Sequence, residues 1–337
     1  MIVNPNLRIL SVNDGFVAYL VGVGKEFLFS KNLVSLILRL KDSQGDGRRV
    51  GDIWSEVDSD IAKMLIESGV VIVNSNQWEN STESADGMWC LNWSVSADYL
   101  RQTFDYPFFD YGDDGWVRDA EMMEMYREKS EEIPRSKSSL RKANAGDYSG
   151  YKRSIQRIRR GNFGHAHADI TDAVTASVGV KGVKPISWGD PLLRKNVPSG
   201  GGRHPTEVYL LDFANGTGFH FDSLASDFEC IGKFNPRKFY KSAFFEPNSY
   251  VKFDVNMALV FTSIWERNMY RYREPRTFRS VHLDVGHVSC SVELILRYMK
   301  YKFHVQYSTN CEVIEELIGV DPLSEGVMSS IMIGGRE

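Results

Sequence analysis

A long amphipathic stripe near the carboxyl end constrains the fold of this 337-residue chain more than any other feature. Over residues 280–301 apolar side chains recur at alternating spacings of four and three, the periodicity of one helical face. Residues 207–213 and 257–265 are predicted strands, and the second is apolar enough to be central. A short helix at 312–318 and a closing strand at 328–333 complete an α+β domain. The stripe consists of Val281, Val285, Val288, Val292, Ile295 and Met299.

The first 75 residues predict a small separate domain. Two apolar runs, 7–11 and 16–22, flank an Asp-Gly pair, which is typical of a hairpin, and residues 26–29 add a third strand. Ser30 is a predicted N-cap for the first of three helices; the others cover 51–57 and 59–68. A strand at 70–73 ends this winged-helix-like unit. Its third helix is acidic, which argues against DNA binding.

Composition restricts the class of protein. Apolar residues make up 42% and charged residues 25% of the chain, and the net charge is −4, so attraction to nucleic acid is not indicated. No apolar run is long enough for a membrane helix, and the first residues do not form a signal peptide. The four dispersed cysteines are expected to be reduced, and a cytoplasmic location is expected.

Charge is distributed unevenly. Residues 78–133 hold fourteen acidic and four basic side chains, and residues 135–203 hold fourteen basic and four acidic ones. Such a pattern indicates either separate solvated faces or a site for a charged ligand. In the basic block, Arg157, Arg159 and Arg160 are suited to an anionic cofactor.

Residues 76–150 are predicted to be an aromatic-rich helical connector. Eleven aromatic residues lie between Trp78 and Tyr126, and disordered linkers are poor in aromatics. These aromatic residues have two interpretations. They could belong to helices that pack between the two domains, or they could line a binding site for a peptide substrate. A loop at 134–150 marks the boundary with a third region, 151–337.

Two local motifs could carry chemistry. Residues 198–205 read Pro-Ser-Gly-Gly-Gly-Arg-His-Pro, and three successive glycines let backbone N–H groups approach a flat or anionic ligand. Residues 271–279 contain four arginines around Tyr272, and guanidinium groups favour the phenolate of a nearby tyrosine. Tyr272 could then act as a general base. The alternatives are a flexible glycine loop and a solvated arginine turn.

Five motifs in a constant order resemble the SagB/McbC-type branch of the nitroreductase-like FMN-dependent oxidoreductases. They cover about residues 150–335, and an amino-terminal region often precedes this domain in the family. The pattern of residues 1–75 is similar to a PqqD-like winged-helix element that recognises leader peptides by strand addition. The motifs are Pro198-Ser199-Gly200-Gly201, Gly218–Asp222, Arg271-Tyr272 with Arg276–Arg279, Asp284–His287, and the tail from Leu317 to Gly334.

This resemblance implies a nitroreductase-like mixed sheet flanked by helices, in an intertwined homodimer whose core is the 280–301 helix. FMN would lie at the subunit interface. Arginines would grip its phosphate, and the glycine loop would contact the isoalloxazine or the ribityl chain. The implied cofactor-binding residues are Arg157, Arg159, Arg160, Pro198, Ser199, Gly200, Gly201, His287, Ser291 and Arg336.

The resemblance also implies a catalytic pair. Azoline-oxidising members carry Lys-Tyr where Arg271 and Tyr272 stand here. Since arginine stays protonated, it can stabilise a phenolate but is a poor proton shuttle, which leaves Tyr272 as the base. The expected reaction is oxidation of an azoline in a ribosomally made peptide, alongside a cyclodehydratase or another maturation enzyme. The alternatives are an NAD(P)H-dependent nitro or flavin reductase and a non-catalytic peptide-binding scaffold. No metal site is expected, because His165 and His167 have no evident third ligand.

Overall fold

The computed structural model describes the chain in segments that together carry the predicted elements. These are residues 2–4, 7–12, 15–20, 25–44, 46–73, 96, 99–100, 103, 115–137, 167–186, 191–244 and 251–337. The chain divides into two compact units, Met1–Phe109 with Glu274–Arg276, and Asp110–Arg273 with Thr277–Glu337. The predicted domain boundaries at residues 75/76 and 150/151 stay predictions.

The first unit contains the small sheet and the three helices predicted from the sequence. Strands β2 (Leu7–Val12), β3 (Gly15–Leu20) and β4 (Lys25–Phe29) form an antiparallel sheet in that order, and β1 (Ile2–Val3) pairs with β5 (Val71–Ile72). The helices are α1 (Lys31–Asp42), α2 (Gly47–Ser55) and α3 (Ser59–Glu67). Ser30 is the N-cap of α1, as predicted, since its hydroxyl accepts from the Leu33 N–H at 3.3 Å.

A six-stranded antiparallel sheet forms the centre of the second unit. Its order is β10-β9-β8-β11-β13-β12, so β11 (Met257–Ile264) is internal, as its apolar sequence predicted. All strand pairs in the described segments are antiparallel, whereas a mixed sheet was expected. The other strands are β8 (Thr206–Asp212), β9 (Thr217–Asp222), β10 (Asp227–Lys233), β12 (Tyr301–Gln306) and β13 (Glu325–Arg336), and β6 (Gly182–Lys184) pairs with β7 (Leu192–Arg194) outside this sheet.

Helices cover both faces of this sheet. Leu259 and Phe261 of β11 pack towards helices α5 (Ala168–Val178) and α8 (Thr277–Tyr298), whereas Ala258 and Val260 face α6 (Pro236–Ala243) and α9 (Cys311–Ile318). Alternate side chains of a strand point to opposite faces, which explains why β11 is apolar at consecutive positions from 257 to 261. The remaining helices of the described segments are α4 (Gly115–Lys129) and α7 (Trp265–Met269), and none of the described helices is long and apolar enough to cross a membrane.

The predicted stripe of α8 is used inside the chain. Val285, Val288 and Val292 are buried in the core beneath the sheet together with Leu296, so the expectation that this stripe forms a dimer core is corrected. The opposite face of the same helix is exposed and partly apolar. Leu283 is 64% exposed, Leu294 63% and Tyr298 88%.

The two faces of α8 give a direct test of this packing. Leu296→Ala is expected to lower the free energy of unfolding by about 2–5 kcal/mol, because it leaves a cavity in the core. Leu294→Ala, two residues earlier on the same helix, is expected to stay within about 0.5 kcal/mol when measured by denaturant unfolding at low protein concentration. Equal losses for both variants would contradict the placement of α8.

Candidate active site

The glycine loop between β7 and β8 is held in a left-handed backbone conformation. Gly201 and Gly202 have φ values of 60° and 62°, and His204 also has a positive φ of 49°. Only glycine adopts this region without a steric cost, so the loop requires the glycines that the sequence supplies. His204 is buried, and this burial lowers the pKa of its imidazole to about 3. The loop is therefore a defined turn that buries the His204 side chain.

Asp284 of helix α8 binds this loop at two points. The Ser199 hydroxyl donates to Asp284 Oδ2 at 2.6 Å, and the Gly200 N–H donates to Asp284 Oδ1 at 3.1 Å. The Ser199 oxygen also accepts from the His204 N–H at 2.8 Å. Burial raises the pKa of the Asp284 carboxyl, and the hydrogen bonds from Ser199 and Gly200 oppose that rise. Asp284 belongs to a motif that the sequence analysis quoted, but its role in the loop was missed.

The Tyr272 side chain lies against the glycine loop. A side-chain carbon built on Gly201 would overlap the Tyr272 hydroxyl and lie 3.1 Å from two carbons of its ring. The backbone N–H of Tyr272 donates to the Asn268 carbonyl at 2.9 Å, which fixes the turn that presents the ring. The absence of a side chain at Gly201 is thus what allows the phenol to lie against the loop.

The arginines around Tyr272 have separate partners. Arg271 donates to Asp119 Oδ2 at 2.6 Å, and its guanidinium lies 5.6 Å from the centre of the Tyr272 ring. Arg273 stacks on Tyr126 of helix α4 at 3.7 Å, which is a cation–π contact. Arg271 thus places a guanidinium beside the Tyr272 ring, whereas Arg273 is bound to the ring of Tyr126.

Arg203, at the end of the loop, was not singled out from the sequence. It is buried and forms an ion pair with Glu132, which also accepts from Arg135 at 3.0 Å. The segment that carries Glu132 is bound to the sheet at further points. The Pro134 carbonyl accepts from Arg267 Nε at 2.8 Å, and Lys137 Nζ donates to Glu325 Oε2 at 2.6 Å.

Glu207, a buried carboxylate of β8, helps to position the segment that carries Glu132 and Pro134. Glu207 accepts from Arg267 at 2.5 Å and lies 3.0 Å from His220 Nε2. Burial by itself would raise the pKa of Glu207, but the Arg267 guanidinium and His220 hold it at about 2. Since an unpaired buried charge is costly, this ion pair holds Arg267, and through it the Pro134 carbonyl, in place.

Two buried polar side chains beside the loop have unsatisfied hydrogen-bonding atoms. Neither Nδ2 nor Oδ1 of the fully buried Asn268 has a partner in the described structure, and neither does Nε of Arg203. Asn268 Nδ2 lies 4.0 Å from the point where a side-chain carbon on Gly200 would stand. Buried amides and guanidiniums are rarely left unsatisfied, so these atoms, together with the glycine cradle, fit a polar planar ligand such as a flavin.

The other predicted cofactor residues are dispersed. Arg336 pairs with Asp169 and stacks over Tyr301 at 5.0 Å, and the Ser291 hydroxyl lies 2.9 Å from that of Ser177. His287 is exposed one turn after Asp284, and Pro198 is exposed at the start of the loop. Arg157, Arg159 and Arg160, predicted to grip a phosphate, lie outside the described residues, as does His165. No cluster of potential metal ligands occurs in the described segments.

The contact between Gly201 and Tyr272 can be tested by mutation. Gly201→Ala is expected to cost about 1–2 kcal/mol of folding free energy from its left-handed backbone alone, and more because Tyr272 must move. Part of that loss should return in a Tyr272→Phe background, since the overlapping hydroxyl is gone.

The control is Gly232→Ala, where no atom lies within 4 Å of the added carbon. It is expected to change the free energy of unfolding by about 0.5 kcal/mol or less, measured by denaturant titration. Strict additivity of Gly201→Ala and Tyr272→Phe would contradict the contact.

Comparison with known proteins finds one curated relative and several solved structures. The chain is 29% identical over 152 residues to trifolitoxin-processing protein TfxB of Rhizobium leguminosarum bv. trifolii, which is 43% of this chain and 40% of that protein. The match thus spans less than half of the relative's length. No protein-family model matches the chain.

Two solved structures illustrate the structural similarity. A nitroreductase from Anabaena variabilis is 20% identical, with a TM-score of 0.47, and the match covers 63% of this chain and 46% of that one. A chain of the Escherichia coli microcin synthetase McbBCD complex, solved with truncated pro-MccB17 bound, is 16% identical, with a TM-score of 0.41 and coverages of 79% and 98%. At these values the likeness does not extend to individual side chains.

The described residues form an α+β fold in which helices flank an antiparallel sheet, and the α+β class is as predicted. The match to a trifolitoxin-processing protein supports the predicted resemblance to the SagB/McbC-type oxidoreductases.

Proposed function

We propose that the chain is an FMN-dependent oxidoreductase that removes two hydrogen atoms from a ribosomally made, modified peptide, converting an azoline to an azole. The observation that carries this proposal is the position of the Tyr272 hydroxyl against the Gly200–Gly202 turn. A proton acceptor beside a backbone cradle is the arrangement that proton abstraction next to a planar cofactor needs. The similarity to a trifolitoxin-processing protein supports a peptide as the substrate.

The residues of this chain would have distinct parts in the reaction. Tyr272 takes the proton from the azoline carbon on its phenolic oxygen. Arg271, which donates to Asp119 at 2.6 Å, keeps a positive charge 5.6 Å from the centre of the Tyr272 ring and does not itself carry the proton. The unsatisfied amide of Asn268 and the Gly201 backbone would hold the flavin. Bound FMN would supply the acceptor for the hydride that leaves the neighbouring carbon.

A homodimer is part of this proposal. The exposed face of α8, with Leu283, Leu294 and Tyr298, is apolar enough to pack against a second copy of the chain. The same helix holds the glycine loop through Asp284 on its buried side. Dimer formation on this face would therefore rigidify the helix to which the candidate flavin cradle is bound.

The amino-terminal unit is proposed to bind the leader segment of the substrate peptide. Strand β4 pairs only with β3 among the described strands, and its Leu28 is 86% exposed. An open strand edge with an exposed apolar side chain can accept an extended peptide as an added strand. A cyclodehydratase or another maturation enzyme would then supply the azoline.

The base is tested with Tyr272→Phe and a synthetic precursor peptide that contains a thiazoline. The variant is expected to lose about 100-fold or more in kcat, because the proton acceptor is removed, and to keep its FMN. Mass spectrometry of the peptide follows the loss of two hydrogen atoms. Unchanged turnover would show that Tyr272 is not the base; no turnover by the wild-type chain, with or without added FMN, would favour a scaffold.

The leader proposal is tested by comparing that peptide with and without its leader. Leader removal is expected to raise KM about tenfold or more, with little change in kcat, because only binding is lost. Leu28→Asp should raise KM for the full peptide by a similar factor. Leu38→Asp on α1, half exposed in the same unit, is the matched control; an equal effect of both substitutions would contradict docking at β4.

A further inference from the structure

The glycine loop is closed by an internal hydrogen-bond chain that runs from His204 through Ser199 to Asp284. The Ser199 oxygen accepts from the His204 N–H at 2.8 Å and donates its proton to Asp284 at 2.6 Å. The Gly200 N–H reaches the other carboxylate oxygen at 3.1 Å. We call these three contacts the Asp284 bracket.

The Asp284 bracket engages hydrogen-bond donors of the loop that were expected to bind a ligand. A serine hydroxyl has one proton, and that of Ser199 is directed at Asp284. The N–H groups of Gly202 and Arg203 donate within the loop, to the Ser199 and Gly200 carbonyls at 3.0 and 3.2 Å. Among the described residues of the loop from 200 to 204, the Gly201 N–H alone has no acceptor. Ser199 is therefore poorly placed to donate directly to a flavin.

We propose that Asp284 is the positioning residue of the cofactor site and that Ser199 acts only through it. This inference rests on the proposed FMN function. Three successive glycines have more conformational freedom than any other tripeptide, and a ligand that must order them binds more weakly. Asp284 removes this freedom in advance, because its carboxylate binds Ser199 and Gly200 at the start of the turn and Ser199 in turn binds the His204 N–H at its end.

Single and double variants of Asp284 and Ser199 distinguish an indirect role of Ser199 from a direct contact with the flavin. Asp284→Asn leaves one acceptor oxygen where two were used, and Ser199→Ala removes the link to His204. Each is expected to raise the Kd for FMN about tenfold. Because both substitutions act on the same bracket, the Kd of the double variant for FMN should be about equal to the higher of the two single-variant Kd values. A direct contact between Ser199 and the flavin predicts instead that the two losses multiply.

The experiment is an FMN titration of the full chain, stripped of flavin and followed by flavin fluorescence. The control is Asp212→Asn: Asp212 is buried and accepts the N–H groups of Ala214 and Asn215 in the turn after β8. Like Asp284→Asn, this variant changes a carboxylate that accepts hydrogen bonds in a turn. The Kd for FMN is expected to stay unchanged. A similar loss of affinity in this control would reduce Asp284 to a general structural role and overturn the proposal.

Amide hydrogen exchange over residues 199–204, in the absence of FMN, separates the bracket from the proposed function. Faster exchange, to the same extent in both single variants and in the double variant, is expected and requires no ligand. Unchanged exchange, or FMN losses that multiply, would overturn the inference. If the wild-type chain fails to bind FMN, the proposed function fails, and the exchange result alone decides whether Asp284 orders the loop.

Discussion

The packing of helix α8 on the central sheet is the constraint on which the candidate site depends. Val285, Val288 and Val292 are buried against strands that include Leu259 and Phe261, so the rotation of the helix about its axis is set by apolar burial. That rotation turns Asp284 towards the glycine loop and leaves Leu283 and Leu294 exposed. One hydrophobic interface therefore decides both where the loop is held and which face remains for a partner.

The uneven charge of the chain has a structural explanation. Asp119 and Glu132 come from the acidic block, and they pair with Arg271 and Arg203 beside the tyrosine and the glycine loop. Both contacts are largely buried, so removing one partner would leave a charge that the interior cannot solvate. Segment 115–137 thus contributes to the candidate site because its carboxylates bind Arg271 and Arg203. Solvated faces therefore explain only part of the uneven charge distribution.

The periodic elements could be predicted from the sequence because their signals are local. The helix stripe around Val288, the Ser30 cap and the apolar strand at 257–265 all depend on near neighbours, and the structure contains each of them. Helix α5 and strands β10 and β12 were missed, although Tyr301–Gln306 of β12 alternates apolar and polar residues as a strand does. Which face of α8 the chain itself covers depends on tertiary contacts, so the dimer stripe was assigned to the wrong side.

Only those residues of the candidate site that belong to local sequence motifs could be predicted from the sequence. Tyr272 and Gly201 were chosen for their residue types, and their contact agrees with that choice. Asp284 as the acceptor for Ser199, Asp119 as the partner of Arg271 and the unsatisfied amide of Asn268 depend on pairs 85 and 152 residues apart or on burial, which no local pattern encodes.

The central claim is that the cradle of Gly201, Tyr272 and Asn268 holds a flavin. The most direct test is the absorbance spectrum of the purified full chain, combined with chromatography of any chromophore released on denaturation. We expect the two absorbance bands of oxidised flavin and the release of FMN in equimolar amount to the chain. A colourless chain that also fails to take up added FMN would contradict it.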